Sequence, residues 1–248
     1  MKFHTWEELG VSEDEEEECE DAEWAKIIEE GLDFLETRIR HYLEVVTTDA
    51  MFLNRTRNVG TITYEEAERF GLLGPTARAS GLLRDIRLEA PYGSYSHFPI
   101  SAVTATNGDL EARCEVRLKE LLVTCFAIRM LIDNLPDGPL TVKVPRKIPA
   151  GDTISRVEAP RGELFYYIKS GGGEHPLRVH VRTPSLCNWV SVLEKAVGRQ
   201  LADVPMLIAG MDPCFSCNDR VVTVKHPREQ KTWTWKQLRE YGIEYYKR

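Results

Sequence analysis

Apolar residues recur at three- and four-residue steps over residues 22–47, at Trp24, Ile27, Ile28, Leu32, Leu35, Ile39, Tyr42, Leu43 and Val46. That period predicts a long amphipathic helix whose stripe faces a core or another subunit, with the intervening charges facing out. A second long helix is predicted over 109–134, with Leu118, Leu121, Leu122, Cys125, Ile128, Leu131 and Ile132 on its buried face. Pro136-Asp137-Gly138-Pro139 then breaks it. Between the two, residues 48–100 read as short elements. The clearest is a helix over Tyr64–Phe70, with Thr63 as N-cap, Gly71 as terminator and Gly74-Pro75 as a breaker. From residue 140 the pattern turns to β. Residues 164–169 and 177–182 are strand-like and flank Ser170-Gly171-Gly172-Gly173-Glu174-His175-Pro176, an antiparallel hairpin with a glycine-rich loop. A helix over 188–200, an apolar run Met206-Leu207-Ile208-Ala209-Gly210, a strand near 221–225 and a last helix containing Trp235, Leu238 and Tyr241 complete the chain. The expected fold class is α+β and mostly α, with two long helices side by side and the β-hairpin region capping one end.

Composition narrows this picture more than it extends it. The 248 residues are 42% hydrophobic and 29% charged, enough for one or two domains with a sizeable core. No apolar run is long enough to span a bilayer, and the first residues carry no signal-peptide core. A net charge of −7 argues against a nucleic-acid surface. Residues 12–21 form a like-charge acidic block, expected to stay solvated and disordered, with an acidic interaction tail as the alternative. Cysteines at 19, 114, 125, 187, 214 and 217 do not form a disulfide framework, so a reduced, cytoplasmic chain is expected. Cys114 and Cys125 are too far apart along one helix to chelate a single ion and read as small core residues. The three loop glycines lack the Lys-Ser/Thr and the following helix of a phosphate cradle, and His175 and His180 lack partners at ligand spacing.

The chemistry concentrates in Asp212-Pro213-Cys214-Phe215-Ser216-Cys217-Asn218-Asp219-Arg220. Two thiols three residues apart suit a soft metal or a redox dithiol: zinc, copper(I), iron–sulfur and nickel are all compatible. Pro213 biases Asp212 towards an extended conformation, which suits a strand end or tight turn that aims both sulfurs one way. The pair is expected to lie buried where the helices converge.

The nonapeptide as a whole resembles the C-terminal signature of the large subunit of nickel–iron hydrogenases. The Arg at its end resembles their membrane-bound, energy-converting branch. Gly74-Pro75-Thr76-Ala77-Arg78-Ala79-Ser80-Gly81, Pro91-Tyr92, Glu158-Ala159-Pro160-Arg161-Gly162-Glu163 and Arg182-Thr183-Pro184-Ser185 occur in that family's order, and they also resemble the related 49-kDa subunit of respiratory complex I. The resemblance spans roughly residues 22–245 and implies the long-helix bundle of those subunits with a β-hairpin region. It implies a nickel–iron centre with cyanide and carbon monoxide ligands, to which Cys214 contributes a terminal nickel thiolate and Cys217 a thiolate bridging nickel and iron. Arg161, on the turn begun by Pro160, would lie over the iron. Asp212 would hold Arg161 there, and Ser185 would donate to a cyanide. Read without the resemblance, Arg161 and Ser185 are ordinary turn and cap residues, and Arg78 is a surface charge or a subunit-packing residue.

One departure shapes the functional expectation. The chain has no RxCGxC motif, no second CxxC and no glutamate beside such a motif. The resulting expectation is the C-terminal portion of a split catalytic subunit. Its partners would be a chain carrying RxCGxC, an iron–sulfur small subunit and membrane subunits, with no nucleic acid. The assembly would sit on the cytoplasmic face of a membrane and be ferredoxin-linked. A fragment or a relative with an incomplete centre are the alternatives for the chain's extent. A non-catalytic subunit of the complex I type, or a small zinc or dithiol protein, are the alternatives for its role. The expected organisation is an acidic segment over 1–21, the large-subunit portion over 22–220, and an extension over 221–248 that is processed after metal insertion or remains as a strand and helix.

Overall fold

The computed structural model describes residues 21–98, 100–135, 141, 143–219, 222–226 and 229–247. The acidic block before residue 21, Cys19 and Arg220 lie outside the described residues.

Helix α1 (Asp21–Thr48) and helix α6 (Leu110–Asp133) pack along each other, but of the α6 face expected to be buried only Cys125 is fully so, Leu118, Leu122, Ile128, Leu131 and Ile132 are half-buried, and Leu121 is exposed. Leu32 and Ile39 of α1 meet Cys125 of α6, and Leu118, Leu122 and Ile128 close the cluster. The stripe on α1 is only partly used: Ile27, Leu35 and Tyr42 stay exposed. Asp109 caps α6 by accepting from the amide of Ala112, and it also accepts from the amide of Asn58.

Short helices fill the segment between the two. They are α2 (Ala50–Thr56), α3 (Tyr64–Arg69), α4 (Gly74–Arg78) and α5 (Ile86–Glu89). Helix α3 carries the expected cap in full: the amide of Glu66 donates to Thr63 Oγ1, and the Glu66 carboxylate accepts from the Thr63 amide. Gly71 follows with φ 63°, the left-handed geometry that ends a helix.

The β region is a three-stranded antiparallel sheet in the order β1 (Gly151–Ala159), β2 (Gly162–Ser170), β3 (Pro176–Arg182). The hairpin of β2 and β3 is the one expected from sequence; β1 is an addition. Asp152, Arg156 and Glu158 break one face and Thr153 and Ser155 the other, so neither is continuously apolar, and most of the strand is exposed. Ala159 pairs with Gly162, so Pro160-Arg161 is a two-residue turn.

Helix α7 is Pro184–Ala196, four residues earlier than its sequence pattern suggests. Pro184 sits at the first helical position, where its fixed φ and missing N–H are tolerated, and Gly198 follows the end with φ 76°. Ser185 therefore lies in the first turn of α7 and not ahead of it. Helix α8 (Val204–Met211) buries Leu207 and Met211 against Leu110 and Val192. A single turn, α9 (Phe215–Asn218), holds the cysteine motif. Strands β4 (Val222–His226) and β5 (Glu229–Trp233) pair as an antiparallel hairpin, and helix α10 (Trp235–Tyr246) packs Tyr241 on Trp233.

Candidate metal centre at the cysteine loop

Helix α8 ends by driving Asp212 into the left-handed region, at φ 58° and ψ 64°. A non-glycine residue held there is uncommon, and it turns the chain sharply out of the helix before Pro213. The extended conformation expected at Asp212 gives way to this geometry because the residue closes the helix C-terminus, its amide donating to the carbonyl of Ala209. The turn presents both the carbonyl and the carboxylate of Asp212 to Arg161. Arg161 Nε donates to the Asp212 carbonyl at 3.0 Å, and Nη2 donates to Oδ1 at 2.9 Å, across 51 positions of sequence.

Arg161 is fixed from behind by backbone packing. Gly74 has φ 63°, and a Cβ there would lie 2.4 Å from the Arg161 carbonyl oxygen. A Cβ on Gly162 would lie 2.6 Å from the Gly74 amide nitrogen. The turn and the start of α4 thus touch main chain to main chain, which only glycine allows. Asn188 of α7, fully buried, closes the joint. It accepts from the Leu73 amide at 2.9 Å and donates through Nδ2 to the carbonyls of Leu73 at 3.1 Å and Arg161 at 3.4 Å. We expect Gly74→Ala to cost about 1–3 kcal/mol, the range for backbone strain held in an unfavourable region. Chemical denaturation measures this, and a cost under about half a kcal/mol would show that the two backbones separate freely.

The cysteine loop rests on the N-terminal half of α7. The Cys214 amide donates to Ser185 Oγ at 3.1 Å. Thr183 Oγ1 donates to the Cys217 carbonyl at 2.8 Å. Trp189 Nε1 donates to Asn218 Oδ1 at 2.6 Å, and Asn218 Nδ2 donates to the Cys214 carbonyl at 2.7 Å. Every one of these bonds fixes main chain or a residue that fixes main chain, so the sulfurs are left free of structural duty.

The Cys214 thiol is pushed below its ordinary pKa. Hydrogen bonding from the amide and then the thiol of Cys217 lowers it most, burial works against them, and the amide and hydroxyl of Ser216 add a smaller share. That arrangement favours the thiolate, the form that ligates metals and accepts protons. The expectation of a buried pair is corrected. Cys214 and Cys217 are both half-buried, and Phe215 between them is 94% exposed. The loop lies at the margin of α7 and α8, and the described residues cover it only in part.

The structure brings Arg161, Asp212, Ser185, Cys214 and Cys217 to one place, with Pro160 beside them in the turn. Asn188, Asn218 and the backbone contact of Gly74 with Gly162 are not legible as site residues in the sequence; each acts on main chain, which leaves no motif in side-chain spacing. Arg78 is not a surface charge. It is 1% exposed and donates to Glu120, Glu158 and the Arg84 carbonyl.

Among the described residues no group of three or more His, Cys, Asp or Glu side chains gathers as a metal cage. The two thiols suit a soft metal, which would need further ligands beyond them. They lie on one turn, their backbone is held, and one of them is biased to thiolate.

The family model described as the 49 Kd subunit of respiratory-chain NADH dehydrogenase matches residues 6–149 and 141–220. The chain belongs to this family. It is 35% identical over 190 residues to the carbon monoxide-induced hydrogenase of Rhodospirillum rubrum, covering 76% of this chain and 53% of that protein. It is 36% identical over 181 residues to an NADH-quinone oxidoreductase subunit of Clostridium beijerinckii, covering 72% of this chain and 49% of that protein. Among solved structures it is similar to a chain of the membrane-bound sulfane sulfur reductase, an archaeal respiratory membrane complex. The TM-score there is 0.73 at 32% identity, over 79% of this chain and 55% of that one. The chain spans about half the length of these relatives. The fold is the mostly helical α+β type expected from sequence. Among the described residues no helix is long and apolar enough to cross a membrane.

Proposed function

We propose that this chain supplies two thiolate ligands, Cys214 and Cys217, to a nickel–iron centre that interconverts dihydrogen with protons and electrons. The remaining ligands come from polypeptide outside the described residues. The observation that carries this reading is the Arg161–Asp212 pair fixed beside the Cys214–Cys217 turn, whose main chain Ser185 and Thr183 hold. An oxidoreductase role is in keeping with a family that includes a hydrogenase and a quinone oxidoreductase among the relatives matched.

A nickel–iron centre held through Cys214 and Cys217 would supply the Lewis-acid and redox chemistry that dihydrogen conversion needs. The chain's own residues do the rest. Cys214 Sγ accepts and returns a proton, since its surroundings favour the thiolate without locking it by a salt bridge. Arg161 provides a permanent forked cation beside the loop, and Asp212 keeps it from swinging away. Ser185 holds the Cys214 amide through its oxygen, so its hydroxyl proton would be free to donate to a cyanide ligand of the centre. The partners in this reading are a chain bearing RxCGxC, an iron–sulfur subunit for electron exchange and membrane subunits, in a ferredoxin-linked complex.

A second reading is a non-catalytic subunit of the complex I type, favoured by the family model and by the quinone oxidoreductase relative. Metal analysis of the complex purified through this chain separates the two. The expected result is about one nickel per chain, together with iron, and loss of nickel in Cys214→Ser and Cys217→Ser. A complex that contains no nickel would overturn the hydrogenase reading, and zinc alone would point to a structural site.

A further inference from the structure

Helix α6 carries two arginines one turn apart, Arg113 and Arg117, and neither has a carboxylate partner at salt-bridge distance among the described residues. Arg113 is accounted for in part. Its Nη2 donates to the carbonyls of Gly60 and Gly108, and burial pulls its pKa down to about 10. Arg117 is not. Its one hydrogen bond runs from Nη1 to the Arg113 carbonyl, at 3.1 Å. Its Nε is sealed from solvent and has no partner. A buried polar group left unpaired costs about 1–3 kcal/mol, and more when charged, so such a group calls for an explanation.

Arg117 lines a cleft of about 410 Å³ whose other charged walls are Arg78, Arg87, Glu120, Glu158 and Asp212. Those charges are already matched. Arg78 holds Glu120 and Glu158, Arg87 holds Asp85, and Asp212 holds Arg161. Arg117 is the cation without an ion pair, although Asp212 and Glu120 lie near enough to favour its charge.

We propose that this cleft is a carboxylate-binding site with Arg117 as its receptor. The free edge of the guanidinium is Nε with Nη2, the edge on which a carboxylate forms two parallel charge-assisted bonds. Nη2 is met directly, and engagement of Nε takes a torsional adjustment of the side chain. The walls select the ligand. Glu120, Glu158 and Asp212 repel a dianion such as phosphate more strongly than a monoanion. Pro75, Leu121, Ala159 and Pro160 give an apolar lining suited to a short methylene stem. Two sources share this chemistry: an Asp or Glu side chain of a neighbouring polypeptide, and a free short-chain carboxylate. Neither the cysteine pair nor its metal enters this assignment, so the site stands or falls separately from the hydrogenase reading.

The test is a titration of the full chain, labelled with nitrogen-15, with sodium acetate at ionic strength held constant by sodium chloride. Arginine side-chain resonances are followed by NMR. The expected result is a saturable shift of the Arg117 Nε resonance, with inorganic phosphate binding more weakly. In the variants, which lack that resonance, binding is read from the Nε resonances of Arg78 and Arg87 in the same cleft. Arg117→Lys keeps the charge without the fork and should weaken acetate about tenfold or more, a loss of one bond of the pair. Arg117→Met should abolish saturation. Circular dichroism shows whether each variant folds, and the lysine variant carries the test if the methionine variant does not. The same titration of the chain in its native complex identifies the source. Loss of acetate binding there assigns the site to a neighbouring side chain, and retained binding assigns it to a free carboxylate. An acetate response without saturation, one reproduced by chloride alone, or one unchanged in the lysine variant would overturn the proposal.

Discussion

On the hydrogenase reading, replacing Arg161 with lysine is expected to lower turnover of dihydrogen by about 10²–10³-fold, the range for removing one preorganised donor from an active site, while nickel and iron contents stay unchanged. The reason is geometric. Arg161 contacts Asp212 with two nitrogens at once, one on the carbonyl and one on the carboxylate. A lysine ammonium is a point charge on a flexible stem. It can satisfy either oxygen but cannot span both in the plane of a fork. The freed stem then samples solvent, because the turn that carries residue 161 is only half-buried. Asp212 is held in left-handed geometry by the end of α8, so its backbone should not follow the change. Metal content should therefore survive, since neither cysteine is touched. Hydrogen uptake with an artificial acceptor and metal quantification on the same sample check both halves. Full activity in a metal-loaded Arg161→Lys complex would remove Arg161 from the mechanism.

The two long helices, the Thr63 cap and the β2–β3 hairpin are legible in the sequence because each rests on local chemistry: apolar period, a side-chain oxygen at an N-cap, alternation around glycines. The expected start of α7 is displaced because the apolar residues Trp189, Val190 and Val192 outweigh the plain signal of Pro184 at a first helical position. Strand β1 escapes a sequence reading because its residues are mostly polar, and it is held chiefly by pairing with β2. The candidate site divides along the same line. Cys214, Cys217, Arg161, Asp212 and Ser185 carry side-chain chemistry in recognisable segments. Asn188 and the Gly74–Gly162 contact act on the backbone from elements distant in sequence, and no spacing rule encodes them. The burial of Arg78 is hidden in the same way. An arginine between alanines gives no hint of Glu120, 42 positions away, or Glu158, 80 positions away.

That arginine sets the second large expectation: Arg78→Met should destabilise the fold by about 3–5 kcal/mol, the cost of breaking a buried ion pair from one side. Arg78 Nε and Nη2 hold Glu120 at 2.6 and 3.1 Å, and Nη1 holds Glu158 at 2.8 Å and the Arg84 carbonyl at 2.7 Å. Asp85 lies 3.6 Å from the same nitrogen and is bound also by Arg87. Methionine fills the volume, so the loss is charge and hydrogen bonding rather than a cavity. Glu158 is left facing Asp85 in a buried site. Burial already raises its pKa even with Arg78 present, and removal of the guanidinium raises it further. A carboxyl whose folded pKa lies above its unfolded value binds more protons in the folded state. Its penalty is absent below the unfolded pKa, about 4.3 for glutamate, and grows as pH rises through the folded value. The destabilisation should therefore be smaller at about pH 5 than at about pH 8. Urea midpoints for the two proteins at both pH values measure it, with the slope unchanged if the unfolded state is unaltered. The double variant Arg78→Met with Glu158→Gln should lose most of the pH dependence, because the titrating group is gone while Glu120 keeps its partial exposure to water. A destabilisation equal at both pH values would show that the cost lies in lost packing and not in a stranded carboxylate.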